Sequence, residues 1–178
     1  DLEGFRETLA RIKAAPKTAL VLGAGGTALV VIKELLRQKA AVHLWNRTAD
    51  RAKALGDRVN GFEVLDGSEI GRVSSTFDVV VNATSVGLKE GDGLPHPDLR
   101  FRRGQIVVDV IYHRETQLMK LARAAGATVS GGLPMLLFQG AASFRIWTGA
   151  EPNVSAMKQA LDDALTKKGM TPIWPSDI

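Results

Sequence analysis

Cysteine is absent from this chain, which excludes disulfides and thiolate metal sites and suits a reducing compartment such as the cytoplasm. No run of about 18 apolar residues occurs, so no membrane-spanning helix and no membrane partner are expected. A secretory leader pattern is missing as well. Aromatic residues make up only 6% of the chain, and no basic stripe interleaves with them, which argues against a nucleic-acid partner. Neither sign of charge dominates. The net charge of +4 suits an anionic ligand but is too small and too scattered for a polyanion. The three histidines, His43, His96 and His113, lie far apart with no HExxH pattern, so no metal site is expected. His43, within an apolar run, reads as core or sheet edge. Ser85 stands between Thr84 and Val86 rather than in a G-x-S-x-G elbow, which removes it as a nucleophile.

What remains is an ordinary globular composition, 45% apolar and 24% charged, in 178 residues. That length suits one domain with a full core, or one domain with a small appendage. The first residue is Asp1 rather than methionine, and the expectation is a piece of a longer polypeptide.

Short apolar runs alternate with helical periodicities. Residues 2–13 show helical spacing and end before Pro16, since the residue preceding a proline is pushed out of the helical region. Strands are predicted at 18–22, 41–45, 62–65, 77–81, 105–110 and 127–130, and helices at 25–38, 49–59, 115–125, 134–148 and 153–167. A loop rich in Gly, Pro and Asp covers 87–98. Strands alternating with helices predict an α/β fold: a Rossmann-type, doubly wound parallel sheet with helices on both faces. Ligands of such sheets bind beyond the carboxyl ends of the strands, where the strand order reverses. The expected organisation is a linker helix over 1–15, a dinucleotide-binding domain over 16–150, and a helix and tail over 151–178.

Gly23-Ala24-Gly25-Gly26-Thr27-Ala28 follows the first strand and opens a helix, matching G-x-G-x-x-A. The first glycine permits the tight turn, the second admits a pyrophosphate against the backbone, and the small third residue lets helix and strand pack closely. The pyrophosphate would rest on the free amides of the helix N-terminus. The second strand ends in Trp45-Asn46-Arg47-Thr48, with Arg51 one turn on. An NAD site usually places Asp or Glu there for the ribose 2′-hydroxyl. Arg47 and Arg51 instead suit a 2′-phosphate, with Asn46 and Thr48 as hydrogen-bonding neighbours, and the cofactor is read as NADP. Surface charge is the alternative, although the positive end of a helix dipole disfavours cations without an anion nearby.

Together, several segments resemble the shikimate/quinate dehydrogenase family. They are the glycine turn, Asn46-Arg47-Thr48 with Arg51, Asn82-Ala83-Thr84-Ser85-Val86-Gly87, Asp109-Val110-Ile111-Tyr112, and Gly131-Gly132-Leu133-Pro134-Met135-Leu136 leading to Gln139. The stretch 144–149 looks like the family's ending. The resemblance implies an oxidoreductase that reduces 3-dehydroshikimate to shikimate with NADPH, in the chorismate route to aromatic amino acids. It also implies that this chain matches only the family's C-terminal NADP-binding domain, with the N-terminal substrate domain absent.

On the same grounds Ala83, Thr84 and Ser85 would line the cofactor cleft, and Val110, Gly132 and Met135 would lie near the nicotinamide. Tyr112 and Gln139 would reach substrate groups. Asp1 would match the aspartate of the family's catalytic lysine–aspartate pair, whose lysine matches none of Lys13, Lys17 or Lys33. Met135 also reads as core, Gln139 as bonded to backbone, and Tyr112 as a cap on the core. Pro134 departs from the glycine more usual at its position and would stiffen the loop before the helix. A stand-alone NADP-binding module and a dehydrogenase for quinate or another hydroxy acid remain open, as do monomer and homodimer.

Overall fold

In a computed structural model of the chain, residues 1–175 are described. The first apolar run folds as strand β1 (Thr18–Leu22), and residues 19–22 of it are wholly buried, as a strand covered on both faces requires. The other strands are β2 (Ala41–Trp45), β3 (Phe62–Val64), β4 (Val79–Asn82), β5 (Ile106–Asp109) and β6 (Thr128–Ser130). They form one parallel sheet of order β3-β2-β1-β4-β5-β6. The order reverses between β1 and β4, and that crevice is where a doubly wound sheet takes its ligand.

The helices are α1 (Leu2–Arg11), α2 (Gly26–Arg37), α3 (Ala49–Gly56), α4 (Ile70–Val73), α5 (Gln117–Ala124), α6 (Leu133–Thr148) and α7 (Val154–Lys167). Alternation along the strands divides the interior into two cores. Ala19, Val21, Val42, Leu44, Val79 and Val81 face α1, α2, α3 and the start of α6, meeting Phe5, Leu9, Ile32 and Leu35. Leu20, Leu22, Val80 and Val107 face the other way, against Ile70, Phe77, Leu118 and Ala122. A buried carboxylate joins two helices of the first layer. Glu34 of α2 accepts from Arg6 of α1 at 3.3 Å and from Arg37 at 2.6 and 2.9 Å. Burial opposes its ionised form, yet hydrogen bonds from Arg37 and Gln38 and the charges of Arg6 and Arg37 hold its pKa below the usual carboxylate range.

Several boundaries differ from the sequence expectation. β4 starts at Val79 and runs through Asn82, because Phe77 turns into the second core and Asp78 accepts from the Lys17 and Thr18 amides at 2.8 and 3.0 Å. β5 starts after Gln105, whose buried amide donates to the carbonyls of Ser74 and Phe77. α3 stops at Gly56. The short helical stretch 67–76 was not expected, although its capping box was there to read: Asp66 accepts from the Ser68 amide, and Glu69 accepts from the Asp66 amide. α6 begins at Leu133, so Pro134 lies in its first turn, where a missing N–H leaves no bond unmade.

His43 is half-buried within β2, an inner strand. Its ring centroid lies 5.0 Å from that of Phe77, and its Nε2 lies 3.3 Å from Glu63. The tail beyond α7 turns back on that helix: the Trp174 indole donates to Asp162 at 2.7 Å, and the Lys158 ammonium lies 4.6 Å from the ring centre. No helix among the described residues is long and apolar enough to cross a membrane.

Candidate coenzyme site

Two backbone bonds gather three turns at the switch point. The Gly23 amide donates to the Trp45 carbonyl and the Ala83 amide to the Leu22 carbonyl, both at 2.8 Å. Gly23 has φ +106°, and a Cβ there would stand 2.8 Å from the Ala83 carbonyl oxygen. Only glycine makes this turn at this closeness. Gly25, the N-cap of α2, and Gly26 after it face open space. The first amides of α2 have no partner within the helix.

Between these turns lies a cavity of about 330 Å³ lined by Gly23, Ala24, Gly25, Trp45, Asn46, Arg47, Thr48, Arg51, Ala83, Thr84, Ser85, Val86 and Pro95. Most of the residues singled out in the glycine turn, at the end of β2 and after β4 are therefore together. No aspartate or glutamate is among the lining residues, and Asp50 sits outside in the first turn of α3. Arg47 and Arg51 are exposed, and among the described residues neither guanidinium is bonded or ion-paired. Arg6, Arg37 and Arg145, by contrast, are each paired with a glutamate. Asn46 donates to the Thr48 carbonyl at 2.7 Å and so shapes the turn that presents the two arginines.

Trp45, Val86 and Pro95 also line the cavity and were not anticipated. Trp45 is half-buried, with His96 edge-on at 4.8 Å between ring centroids. Its position at the end of β2, next to Asn46, was the available signal.

The other anticipated residues stand elsewhere. Gly26 and Thr27 follow in the first turn of α2, outside the lining. Gly132 is buried so tightly that a side chain would overlap the Val110 carbonyl. Met135 is 8% exposed and belongs to the first core. Tyr112 is 43% exposed beside His113, and Gln139 is half-buried, with no side-chain hydrogen bond among the described residues. Asp1 is the exposed N-cap of α1; its carbonyl accepts from the Phe5 amide at 2.9 Å, while its side chain caps none of that helix's amides.

Behind the cavity wall lies a buried polar network. Asn82 and Asp109 end β4 and β5, are paired in register and are wholly buried. Asn82 donates to Asp109 at 3.0 Å and to the Val86 carbonyl at 3.1 Å, and accepts from the amide and hydroxyl of Thr84 at 3.0 and 2.7 Å. Asp109 accepts from the Ile111 amide at 3.1 Å and the Thr116 hydroxyl at 2.7 Å. Burial pushes the Asp109 carboxyl up to about 6, against the pull of Thr116, Ile111 and Asn82.

A parallel sheet in this order, with a glycine turn and an open helix N-terminus at its switch point, defines the Rossmann-type class of dinucleotide-binding domain. Residues 7–89 match the family model described as shikimate / quinate 5-dehydrogenase, and residues 132–161 match that of the shikimate 5'-dehydrogenase C-terminal domain. A relative named shikimate dehydrogenase (NADP(+)) from Methanothrix thermoacetophila is 42% identical over 146 residues, covering 82% of this chain and 54% of the relative. The crystal structure of shikimate dehydrogenase from Aquifex aeolicus superposes with a TM-score of 0.80 at 39% identity, covering 90% of this chain and 59% of that one. That of shikimate 5-dehydrogenase from Thermus thermophilus, in complex with NADP(H) and shikimate, superposes with a TM-score of 0.79 at 36% identity, covering 90% and 60%. The chain belongs to the shikimate/quinate 5-dehydrogenase family, and it spans somewhat more than half the length of these relatives.

Proposed function

We propose that this chain is the coenzyme-binding portion of an NADP-dependent oxidoreductase that interconverts 3-dehydroshikimate and shikimate. One observation carries the reading: the switch-point cavity presents two guanidinium groups, unpaired among the described residues, where an NAD site presents a carboxylate. The names of the relatives and the ligands of the Thermus thermophilus structure support it. The cytoplasm as location, and a monomer or homodimer, belong to the same reading.

The residues present fit NADP(H). The backbone of Gly23, Ala24 and Gly25, with the amides of Gly26 and Thr27, receives the pyrophosphate. Arg47 and Arg51 hold the 2′-phosphate, each able to donate parallel bonds, and Asn46 and Thr48 keep their turn in shape. Ala83, Thr84 and Ser85 wall the cleft toward the nicotinamide. Val110, Gly132 and Met135 form the packed floor beyond it, and Tyr112 and Gln139 present polar groups to the substrate. When bound, the coenzyme supplies the hydride that reduces the substrate ketone.

The new alkoxide then needs a proton. Asp1 is read as the aspartate that keeps a proton-donating lysine charged and in place. Lys13, Lys17 and Lys33 are exposed and sit in no matching motif. The 178-residue chain is therefore expected to bind NADP(H) and to oxidise no shikimate.

Calorimetric titration of the chain with NADPH and NADH tests the reading. NADPH is expected to bind at least roughly tenfold more tightly, a difference of about 1.4 kcal/mol. Equal affinities would overturn the assignment of Arg47 and Arg51, and NADP-dependent shikimate oxidation by this chain would overturn its expected inactivity.

A further inference from the structure

Asp109 is a wholly buried carboxylate that hydrogen-bonds no cation. Its desolvation is offset only by neutral donors, an arrangement that destabilises a core unless every partner is held in place. Those partners lie on two separate loops. Asn82, bonded to one carboxylate oxygen, also receives both the amide and the hydroxyl of Thr84, and it holds the Val86 carbonyl. The Thr84 hydroxyl in turn accepts from the Val86 amide at 3.0 Å. The wall turn 83–86 is thus tied at both of its ends to one asparagine, and through it to Asp109. On the other side Asp109 accepts from the Ile111 amide, next to Tyr112, and from Thr116, whose hydroxyl accepts from the Met119 amide of α5 at 3.2 Å.

None of Asn82, Asp109 and Thr116 lines the cavity. We infer that Asp109 is a positioning residue, which locks the cavity wall 83–86 to the Tyr112 loop and to α5, so that the coenzyme side and the substrate side of the cleft are held as one rigid piece. The inference rests on the reading of the cavity as a coenzyme site.

Three titratable neighbours are engaged elsewhere. His113 bonds the Leu88 carbonyl at 3.0 Å, Glu115 pairs with Arg123, and Asp92 accepts from the Gly87 and Lys89 amides. The brace itself is neutral apart from Asp109.

Three variants of the chain test this. Asp109→Asn keeps the shape but replaces one acceptor oxygen with a donor. Thr116→Val removes the hydroxyl that donates to Asp109 and caps the Met119 amide, and keeps the branched side chain. Thr116→Ser restores the hydroxyl. Hydrogen exchange reads the coupling with no ligand present, and calorimetry with NADP⁺ reads its effect on the cavity. Exchange at the Thr84 and Val86 amides is expected to speed up at least tenfold in Asp109→Asn and Thr116→Val, with the amides of β1 unchanged and with Thr116→Ser like the native chain. NADP⁺ affinity is expected to fall at least fivefold in the first two variants and less than twofold in the third.

Faster exchange confined to residues 116–119, with NADP⁺ affinity within twofold of native, would overturn the inference. So would equal losses in Thr116→Val and Thr116→Ser, which would mean that the hydroxyl is irrelevant. Coupled exchange in a chain whose native form binds no NADP⁺ would uphold the brace and sink the coenzyme reading instead.

Discussion

The strand ends on the two sides of the switch point are finished in opposite ways. Beyond β1 and β2 the backbone is left open: Gly25 and Gly26 face empty space, and Arg47 and Arg51 carry charge unpaired among the described residues. Beyond β4, β5 and β6 it is closed: Asn82 and Thr116 both donate to Asp109, and Gly132 lies against the Val110 carbonyl with no room for a methyl group. Both sides use glycine, but one glycine faces open space and the other lies against the protein's own backbone.

The largest expected effect is on the closed side. Gly132→Ala pushes a carbon into a main-chain carbonyl, which cannot swing away as a side chain would, and is expected to cost about 3 kcal/mol of unfolding free energy in urea titration. A loss below about 1 kcal/mol would mean that the closed side yields easily and the contrast is empty.

Asp109 gives an effect of similar size with a definite pH signature. Its carboxyl moves from an ordinary 3.8 to about 6 on folding. A raised folded pKa contributes stability that is full below the unfolded value and is lost as pH rises through the folded one. The free-energy difference between Asp109→Asn and the native chain should therefore move in the variant's favour by up to about 3 kcal/mol from about pH 4 to pH 7. A constant difference would mean that Asp109 stays ionised throughout.

Glu34 behaves in the opposite sense. Its lowered pKa contributes stability above the unfolded value, lost as pH falls through the folded one. Against a Glu34→Gln variant, the native chain should lose its advantage only in acid, as pH falls from the ordinary 4.5 towards the lowered folded value.

On the open side, Arg47→Ala is expected to weaken NADPH binding by about 1–3 kcal/mol and to leave NADH nearly unchanged. Equal losses for both ligands would remove Arg47 from the 2′-phosphate. The smallest effect on folding belongs to Gly25→Ala. Gly25 has φ −91° and open space around its Cβ position, so stability should stay within about 0.5 kcal/mol while NADPH affinity drops. That pair of results, set beside Gly132→Ala, would separate the two uses of glycine in one molecule.

The open side was largely legible in the sequence, because each of its parts is local. Gly23, Gly25 and Ala28 sit at fixed offsets after an apolar run, and Arg47 and Arg51 are one helical turn apart. The closed side was not. Asn82 and Asp109 are 27 residues apart, and only the register of two parallel strands makes them neighbours. The segments that begin at Asn82 and Asp109 were noted for their family resemblance, but nothing in their spacing shows that the two side chains meet. Met135 illustrates the same limit: its motif left a nicotinamide contact and a core position both open, and only the long-range packing of α1 on α6 places it in the first core. The short helix α4 was legible in principle from Asp66 and Glu69, three residues apart ahead of Ile70.

The tryptophans turn this asymmetry into a signal. Trp45 stands in the wall of the open cavity, Trp174 is docked on α7, and Trp147 is 83% exposed. Indole emission overlaps the absorption of a reduced nicotinamide ring, and energy transfer falls off steeply with distance. The chain thus carries its own optical probe of occupancy at residue 45, with two other indoles elsewhere as references, and the filling of the cleft can be followed in real time without attaching a dye.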